Sequence, residues 1–327
     1  MKVTVVGAGA MGASYGGLLS VAGHEVGLID IRADHVAAIE RDGLHVDGVL
    51  GDHRVRLSAA AAPAKGQRAE VAIVFADTNN TRAAAKTAAG LLSRDGVAVT
   101  FQNGLGNVEA LQAEIGPKRV LGGSSMCGAT SRGPGHVTLT HMGLTSVGEI
   151  DGRASARANA LVEALRGAGF EAQLAPDIMA VIWQKFVVNC GVNAIAATTG
   201  LRPGEIARLA DVDAFQDRVL AEVMAVIAAK GITLPNPDIV AAIKDGCRRN
   251  FNLPSMLQHV RAGRKTEIEA LNGALIREAK AAGVATPYNE ALVALLKGRE
   301  LARMREVAEP DLDYDAWQAR VAAGAEE

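Results

Sequence analysis

A lysine and two asparagines recur at four-residue intervals in an otherwise apolar stretch of the second half of the chain. Lys185, Asn189 and Asn193 are spaced i, i+4 and i+8, so a helix would carry one amine and two amides along a single face. Burying three such groups costs several kcal/mol unless they are paired. A polar ligand is the simplest partner. An interhelical hydrogen-bond network or an interface between domains is the other explanation.

A second group of polar residues follows about seventy positions later. Ser255 comes directly after a proline, where it fits either a ligand contact or a helix N-cap. Thr266 is predicted to be a helix N-cap with Glu269 as its capping-box partner, because the two are three residues apart. That assignment leaves Glu267 available for another role.

The glycine pattern GxGxxG, typical of dinucleotide-binding turns, directly follows the first predicted strand. Its first glycine can take a tight turn, its second lets the backbone approach a pyrophosphate, and its third permits close packing of helix on strand. The following helix would direct backbone N–H groups at the diphosphate. A glycine-rich turn without a ligand is the alternative. The predicted cofactor-binding residues of this motif are Gly7, Ala8, Gly9, Ala10, Met11 and Gly12.

Two charged residues near the end of the second predicted strand bear on the choice of cofactor. Asp30 can accept hydrogen bonds from the hydroxyls of an adenine ribose and would repel a 2′-phosphate, which favours NADH. Arg32 can instead pair with the 2′-phosphate of NADPH if the loop turns it inward. The alternative is that both residues are solvated charges of a surface loop without a cofactor contact.

Asn103 is predicted to lie at the carboxyl end of a sheet strand, because it follows the apolar run at residues 97–101. Ligands of open α/β sheets bind at these strand ends. An asparagine in this position equally fits a turn that precedes a helix.

The elements around these residues predict two domains. Helical patterns alternate with strand patterns at residues 3–6, 25–31, 71–76, 97–101 and 120–123, which indicates an α/β domain with a doubly wound, mainly parallel sheet. A hairpin is predicted at residues 135–149, a helix at 154–167 and a strand at 171–174. The periodicity is helical from residue 178 onward. We therefore predict a dinucleotide-binding domain at 1–175 and an all-helical substrate-binding and dimerisation domain at 176–327.

Composition excludes several classes of protein. The chain has 327 residues, 49% of them hydrophobic, and a net charge of −2, so it can bury a large core and offers no basic run for nucleic acid. Three scattered cysteines indicate reduced thiols. The seven histidines show no ligand spacing with carboxylates or cysteines, so no metal is expected. The absence of a basic leader and of a long uninterrupted apolar run predicts a cytoplasmic protein without membrane contact.

Taken together and in order, these motifs resemble the ketopantoate reductase (2-dehydropantoate 2-reductase) family over nearly the whole chain. The resemblance rests on the glycine motif, the segment around Asn103, the helix with Lys185 and the block at residues 255–273. It implies a Rossmann domain followed by an all-helical domain of the 6-phosphogluconate dehydrogenase C-terminal-like type, with the active site in the cleft between them. It also implies a homodimer.

The resemblance assigns a role to each matching residue. Lys185 becomes the general acid and Glu267 the carboxylate that orients the substrate or the lysine. Asn189, Asn193 and Ser255 become substrate contacts, and Asn103 lies near both nicotinamide and substrate. Hydride addition to a ketone builds negative charge on oxygen, which a protonated amine stabilises and then protonates. The implied reaction is the NADPH-dependent reduction of 2-dehydropantoate to pantoate in pantothenate biosynthesis.

Two departures from the family pattern and two rival functions accompany this assignment. The family usually carries a lysine after its apolar strand where this chain has Ala76, and the arginine that usually selects NADPH is displaced behind Asp30. One rival is another dehydrogenase of this architecture, acting on a related 2-oxo acid, a 3-hydroxyacid or an opine. The other is a non-catalytic dinucleotide sensor, which would need neither Lys185 nor Glu267.

Overall fold

Short apolar runs in the first part of the chain become the strands of two sheets. The computed structural model describes residues 1–323. Its strands are β1 (Lys2–Val6), β2 (Glu25–Ile29), β3 (Leu44–Gly48), β4 (His53–Val55), β5 (Ser58–Ala60), β6 (Ala69–Val74), β7 (Leu92–Thr100), β8 (Val120–Ser125), β9 (Gly128–Gly133), β10 (His136–His141), β11 (Thr145–Glu149) and β12 (Ala172–Leu174). The helices between them are α1 (Ala10–Val21), α2 (Ala33–Asp42), α3 (Thr81–Leu91), α4 (Asn107–Ile115) and α5 (Ala156–Gly167).

The main sheet has eight strands in the order β12-β11-β8-β7-β6-β1-β2-β5. Only the β11–β8 pairing is antiparallel. Helices α3 and α4 cover one face, where Ala88 and Leu111 are fully buried. Helices α1 and α5 cover the other face, where Tyr15 and Leu161 are fully buried. The predicted doubly wound, mainly parallel sheet is therefore confirmed.

The smaller sheet has the strand order β4-β3-β10-β9 and contradicts the predicted hairpin at residues 135–149. Strands β10 and β11 belong to different sheets, and the antiparallel partner of β10 is β9. The tight turn lies between β9 and β10. Gly135 in this turn has a φ of 73°, which residues with a side chain rarely adopt. The glycine at the start of the predicted hairpin therefore lies in the turn of a different hairpin, formed by β9 and β10.

The second half of the chain is helical, as predicted, and the residues described after 174 contain no strand. Two helices end at Gly200 and Gly283, which have φ values of 82° and 70°. Helices α8, α11 and α12 pack on one another. The helices are α6 (Ile178–Thr199), α7 (Pro203–Ile206), α8 (Ala210–Ala229), α9 (Ile239–Arg249), α10 (Ser255–Arg261), α11 (Asn272–Ala282), α12 (Pro287–Ala308) and α13 (Tyr314–Ala322).

The chain separates into two units within helix α6. The first comprises Met1–Phe186 with Ile232–Pro237, and the second begins at Val187. The boundary predicted at residue 175 stays a prediction, and residues 324–327 at the end of the predicted second domain lie outside the described residues. By length and composition α6 could cross a membrane, but 56% of its most apolar window is buried inside the protein, as is typical of a core helix.

Candidate active site

Two glycines of the N-terminal motif are required by the fold. Gly7 has a φ of 92°, and a Cβ there would collide with the backbone of Ala76 at the end of the neighbouring strand. A Cβ on Gly12 would collide with the carbonyl oxygen of Gly7, so only glycine lets α1 pack this closely on the turn. Sequence reasoning gave both residues these same structural roles.

Gly9 differs from the other two, because a Cβ built on it would meet no protein atom within 4 Å. The fold alone does not require glycine here. Gly9 is the N-cap of α1, no side chain caps this helix end, and the first turn carries no acidic residue. The N-terminus of α1 therefore combines open space with backbone donors and a positive helix dipole, and this combination fits a pyrophosphate.

Asp30 and Arg32 form a pair beside the glycine loop. Asp30 is 8% exposed, and its Oδ1 accepts hydrogen bonds from the backbone N–H of Arg32 at 2.9 Å and from its Nε at 3.2 Å. A longer contact of 3.4 Å joins the Arg32 guanidinium to the carbonyl oxygen of Ala8. The carboxylate thus holds the arginine beside the glycine loop.

Asn103 lies just beyond the carboxyl end of β7. The N-cap of α4 is Gly106, so Asn103 does not cap that helix. Its backbone carbonyl accepts a hydrogen bond from the Asn107 side chain at 2.8 Å. The preceding residue, Gln102, donates to the carbonyl oxygen of Ala76 at 2.7 Å, which ties the ends of β6 and β7 together.

Lys185 lies on α6 in the first unit. Its ammonium donates a hydrogen bond to the backbone carbonyl oxygen of Ser125, the last residue of β8, with an N···O distance of 2.5 Å. The residue is half-buried. An ammonium has three hydrogens, and the bond to Ser125 uses one of them.

A buried phenol lies behind this contact. The hydroxyl of Tyr15 donates to the Ser125 hydroxyl at 2.8 Å and lies 2.5 Å from the Thr145 hydroxyl. Tyr15 is fully buried in α1 and stacks on Phe170, with 4.1 Å between ring centroids. Burial raises the pKa of the Tyr15 phenol well above its usual range, so it stays neutral and donates. The helix that follows the glycine loop is thereby connected to the residue that anchors Lys185.

These groups share one edge of one sheet. The glycine loop follows β1, Asp30 follows β2, Asn103 follows β7 and Lys185 contacts the end of β8, and all four strands are parallel. Three strand spacings separate β1 from β8, a distance of about 14 Å. Such an edge can accommodate an extended ligand with a phosphate group at one end and a reacting group at the other.

The second unit contains a cavity of about 330 Å³ that two predicted site residues, Asn189 and Asn193, help to line. The Asn193 amide donates to Asn189 Oδ1 at 3.2 Å. The buried Nδ2 of Asn189 has no hydrogen-bond partner, which makes it an available donor. The rest of the lining is mainly apolar, with two further amides, and comprises Val188, Val192, Pro203, Ile239, Ala242, Ile243, Gly246, Cys247, Asn250, Asn252 and Pro254.

The block at residues 255–273 differs in detail from its prediction. Ser255 is the exposed first residue of α10 and not its N-cap. The predicted capping box is wrong: Glu267 holds the cap position of a short 3-10 turn, and Glu269 pairs with Lys297 and Arg277. The Lys297 ammonium is the main cause of the lowered pKa of Glu269. The Glu269 carboxylate forms ion pairs with residues distant in sequence and does not cap the backbone as the local pattern predicted.

Sequence reasoning missed Ser125 and Tyr15. The rule that directed attention to Asn103 also applies to Ser125, since Asn103 follows the end of β7 and Ser125 ends β8 at the same sheet edge. Nothing local marks Tyr15, whose hydrogen-bond partners lie more than 100 residues away. A larger cavity of about 470 Å³ along β1, β2 and β5 contains none of the predicted site residues, and we do not place the site there.

The protein has a doubly wound sheet, a close-packed glycine turn after the first strand and a lysine at the same edge of that sheet. Together these features define a dinucleotide-dependent oxidoreductase. Residues 3–152 match the family model described as "Ketopantoate reductase PanE/ApbA", and residues 177–300 match that of its C-terminal domain. The chain belongs to the ketopantoate reductase family, whose members are NAD(P)-dependent oxidoreductases acting on CH–OH groups.

Individual relatives agree with this assignment. The 2-dehydropantoate 2-reductase of Archaeoglobus fulgidus is 32% identical over 91% of this chain and 98% of its own. A PanE/ApbA family ketopantoate reductase from Ralstonia eutropha JMP134 superimposes with a TM-score of 0.86 at 31% identity, covering 93% of this chain and 99% of the other. A D-mandelate dehydrogenase solved with NADH and anilino(oxo)acetate gives 0.84 at 26% identity, with the same coverage.

Proposed function

We propose that this protein reduces the ketone of 2-dehydropantoate to the alcohol of pantoate, with Lys185 as the proton donor. The observation that carries the proposal is the hydrogen bond from the Lys185 ammonium to Ser125 at the carboxyl end of β8. It fixes a cation on the sheet edge that also carries the glycine loop. A dinucleotide sensor would not need that cation.

The residues of this edge fit a dinucleotide cofactor. Gly9 and the uncapped start of α1 would hold its pyrophosphate, with Gly7, Ala8, Ala10, Met11 and Gly12 forming the surrounding turn. Asp30 would accept the ribose hydroxyls, and Asn103 would contact the nicotinamide end. A bound reduced nicotinamide supplies a hydride to the substrate carbonyl carbon.

NADH is the preferred cofactor in this proposal. Asp30 both places negative charge beside the ribose position and holds the Arg32 guanidinium that would otherwise pair with a 2′-phosphate. The small Ala76 supplies no compensating cation next to the glycine loop. The structural relative solved with NADH supports the same choice.

Lys185 would act on the oxygen of the reacting carbonyl. As the carbon accepts hydride, negative charge builds on this oxygen, and the lysine ammonium stabilises it and then delivers a proton. The Ser125 carbonyl holds the amine in one position, so less side-chain entropy is lost when substrate binds. Glu267 would serve as the carboxylate that orients the substrate or the lysine.

The amides of α6 would bind the rest of the substrate. The unpartnered Nδ2 of Asn189 can donate to a carboxylate or hydroxyl oxygen, and Asn193 holds the opposite end of that amide in place. Ser255, exposed at the start of α10, adds a hydroxyl. The cavity that Asn189 and Asn193 share offers apolar walls for the substrate's side chain.

A bulkier 2-oxo acid is the second candidate substrate. The cavity of about 330 Å³ is lined by Val192, Ile239 and Ile243 and by no charged side chain. A ring or a long branched chain would fill such a space better than the short side chain of 2-dehydropantoate. The similarity to D-mandelate dehydrogenase favours the same candidate.

A panel of substrates tests both candidates. The oxidation of NADH and of NADPH would be followed by loss of nicotinamide absorbance with 2-dehydropantoate, 2-oxo-2-phenylacetate, 2-oxo-3-methylbutanoate and pyruvate. The proposal predicts the highest kcat/KM with 2-dehydropantoate and NADH. A higher kcat/KM with 2-oxo-2-phenylacetate would establish the second candidate. Absence of turnover with every 2-oxo acid would contradict the proposed function.

Three further features belong to this proposal. The two domains keep the predicted bounds, 1–175 for dinucleotide binding and 176–327 for substrate binding. The protein works in the cytoplasm, as a biosynthetic enzyme would. It forms a homodimer through the helical domain, where Leu295 and Leu301 of α12 are 62% and 60% exposed. Sedimentation velocity of the wild type and of Leu301→Glu tests the dimer.

A further inference from the structure

The smaller sheet of the first unit, which is not the sheet of the proposed catalytic edge, carries a cluster of side chains that commonly bind metals. Strands β3 and β10 are parallel neighbours, with His136 in register with His45. Their buried residues alternate with half-buried ones: Leu44 and Val46 face the core, whereas His45 and Asp47 face outward. The pleat therefore presents two imidazoles and a carboxylate on one outer surface.

The three side chains are close enough to share one ion. Each offers one ligand atom, and these atoms all lie within 4.8 Å of one another. The two imidazole rings stack with 4.0 Å between centroids. In a tetrahedral zinc site with bonds of about 2.0–2.2 Å, neighbouring ligand atoms are roughly 3.4 Å apart. Rotations of His136 and Asp47, whose side chains are 33% and 29% exposed, can close the difference.

A further carboxylate contacts one of the two histidines. The Nε2 of His45 is 2.8 Å from Oδ1 of Asp52, which sits between β3 and β4. The Nε2 of His136 is likewise 2.8 Å from Oδ2 of Asp47. Each nitrogen–oxygen pair shares a proton in this arrangement, and a divalent cation can replace it. With Asp52 turned toward the group, two histidines and two aspartates would supply four nitrogen and oxygen ligands of kinds that zinc binds in proteins.

We propose that His45, Asp47 and His136, with Asp52 as fourth ligand, form a binding site for a divalent transition-metal ion such as Zn²⁺. Imidazole nitrogen selects such ions over Mg²⁺ and Ca²⁺, which prefer oxygen. The ion would cross-link β3 to β10, which are 89 residues apart between Asp47 and His136. This role is structural and separate from hydride transfer. The spacing of histidines along the sequence does not indicate this site, because its ligands lie on strands that are distant in sequence and become neighbours only in the sheet.

Titration of the tag-free full-length protein, first treated with a chelator, tests the site. Calorimetry with Zn²⁺ should show one ion bound per chain. Co²⁺ should give the intense visible absorption of a tetrahedral site without a thiolate charge-transfer band, because the ligands are nitrogen and oxygen. The unfolding midpoint should rise with Zn²⁺ concentration. The reductase rate should be the same with and without chelator, which separates this result from the proposed function.

Variants identify the ligands. His136→Gln should abolish Zn²⁺ binding, and Asp52→Asn, a change in an exposed residue that the fold tolerates, should weaken it. His141→Gln on the same strand β10 should bind as the wild type does, because His141 lies outside the cluster. The proposal is overturned if the wild type shows no saturable Zn²⁺ binding, or if His136→Gln and Asp52→Asn both retain wild-type affinity.

Discussion

The ammonium of Lys185 and the backbone carbonyl oxygen of Ser125 lie 2.5 Å apart, at the carboxyl end of β8. The Ser125 hydroxyl in turn accepts hydrogen bonds from the Tyr15 phenol and, at 3.2 Å, from the Cys127 backbone N–H. The position of the lysine therefore depends on a buried residue of the helix that begins at the glycine loop. Tyr15 is a positioning residue in this account.

Tyr15→Phe should lower kcat by roughly tenfold while the KM for cofactor stays unchanged, because the anchor of Lys185 loosens but the glycine loop does not. Loss of a buried hydroxyl should also reduce the free energy of unfolding by about 1–3 kcal/mol. A shift in the alkaline limb of the pH profile of kcat/KM distinguishes positioning from packing. Reduced stability with an unchanged kcat and profile would restrict Tyr15 to the core. Tyr288→Phe, which removes an exposed hydroxyl, is the control.

Gly9→Ala and Gly12→Ala should fail in different ways. A methyl group at residue 9 meets no protein atom, so the unfolding midpoint should stay near that of the wild type, whereas one at residue 12 collides with the Gly7 carbonyl oxygen. Gly12→Ala should lose about 1–3 kcal/mol of stability from overpacking. Gly9→Ala should instead raise the Kd for NADH by roughly tenfold or more, because the methyl group occupies space left for the pyrophosphate. Calorimetric titration and thermal unfolding of both variants measure these effects. Undiminished NADH affinity in Gly9→Ala would place the pyrophosphate elsewhere.

Asp30→Ala should shift cofactor preference toward NADPH. The change removes a negative charge and releases the Arg32 guanidinium to pair with a 2′-phosphate. One charge-assisted hydrogen bond corresponds to a change of roughly tenfold or more in the ratio of kcat/KM for NADPH to that for NADH. Asp30→Asn, which can still accept from the Arg32 backbone, should shift the ratio in the same direction. Asp34→Ala on the exposed start of α2 is the control. An unaltered ratio in both Asp30 variants would show that this carboxylate does not face the ribose.

Glu149→Gln should destabilise the protein at neutral pH and much less in acid. Both oxygens of the buried Glu149 accept from Arg157, each at 2.6 Å, and these bonds hold the pKa of the carboxyl below its usual value. A lowered folded-state pKa gives stability that is complete above the unfolded pKa of about 4.3 and is lost as pH falls through the folded value. Urea unfolding near pH 7 should show a deficit of about 1–2 kcal/mol after screening at the partly exposed arginine. A deficit that persists unchanged below about pH 3 would contradict this linkage. Glu163→Gln, in an exposed pair, should have little effect.

The architecture and the cofactor turn could be predicted from the sequence because local signals fixed them. Alternating apolar runs indicated β1, β2, β6, β7 and β8, and the glycine spacing indicated the turn after β1. The structure adds that Gly7 and Gly12 are required by packing and Gly9 is not. The spacing along α6 identified Asn189 and Asn193, which share a cavity.

Features that depend on distant parts of the chain could not be predicted in this way. The small sheet pairs β3 with β10 across about ninety residues, so neither that sheet nor its histidine cluster left a local pattern. The hairpin prediction failed for the same reason, since β11 pairs with β8 and not with β10. Thr266 and Glu269 have the spacing of a capping box, but the Glu269 carboxylate forms an ion pair with Lys297, which is distant in sequence.

The rate of a lysine variant tests the central claim most directly. Single-turnover hydride transfer should be measured for the wild type, Lys185→Ala and the similarly sized Lys185→Met with NADH and the best 2-oxo acid of the panel. Loss of a positioned proton donor should lower the rate on the order of 100-fold or more, with NADH affinity and the unfolding midpoint close to those of the wild type. A folded Lys185→Met protein with near-normal turnover would contradict the assignment of Lys185 as the general acid.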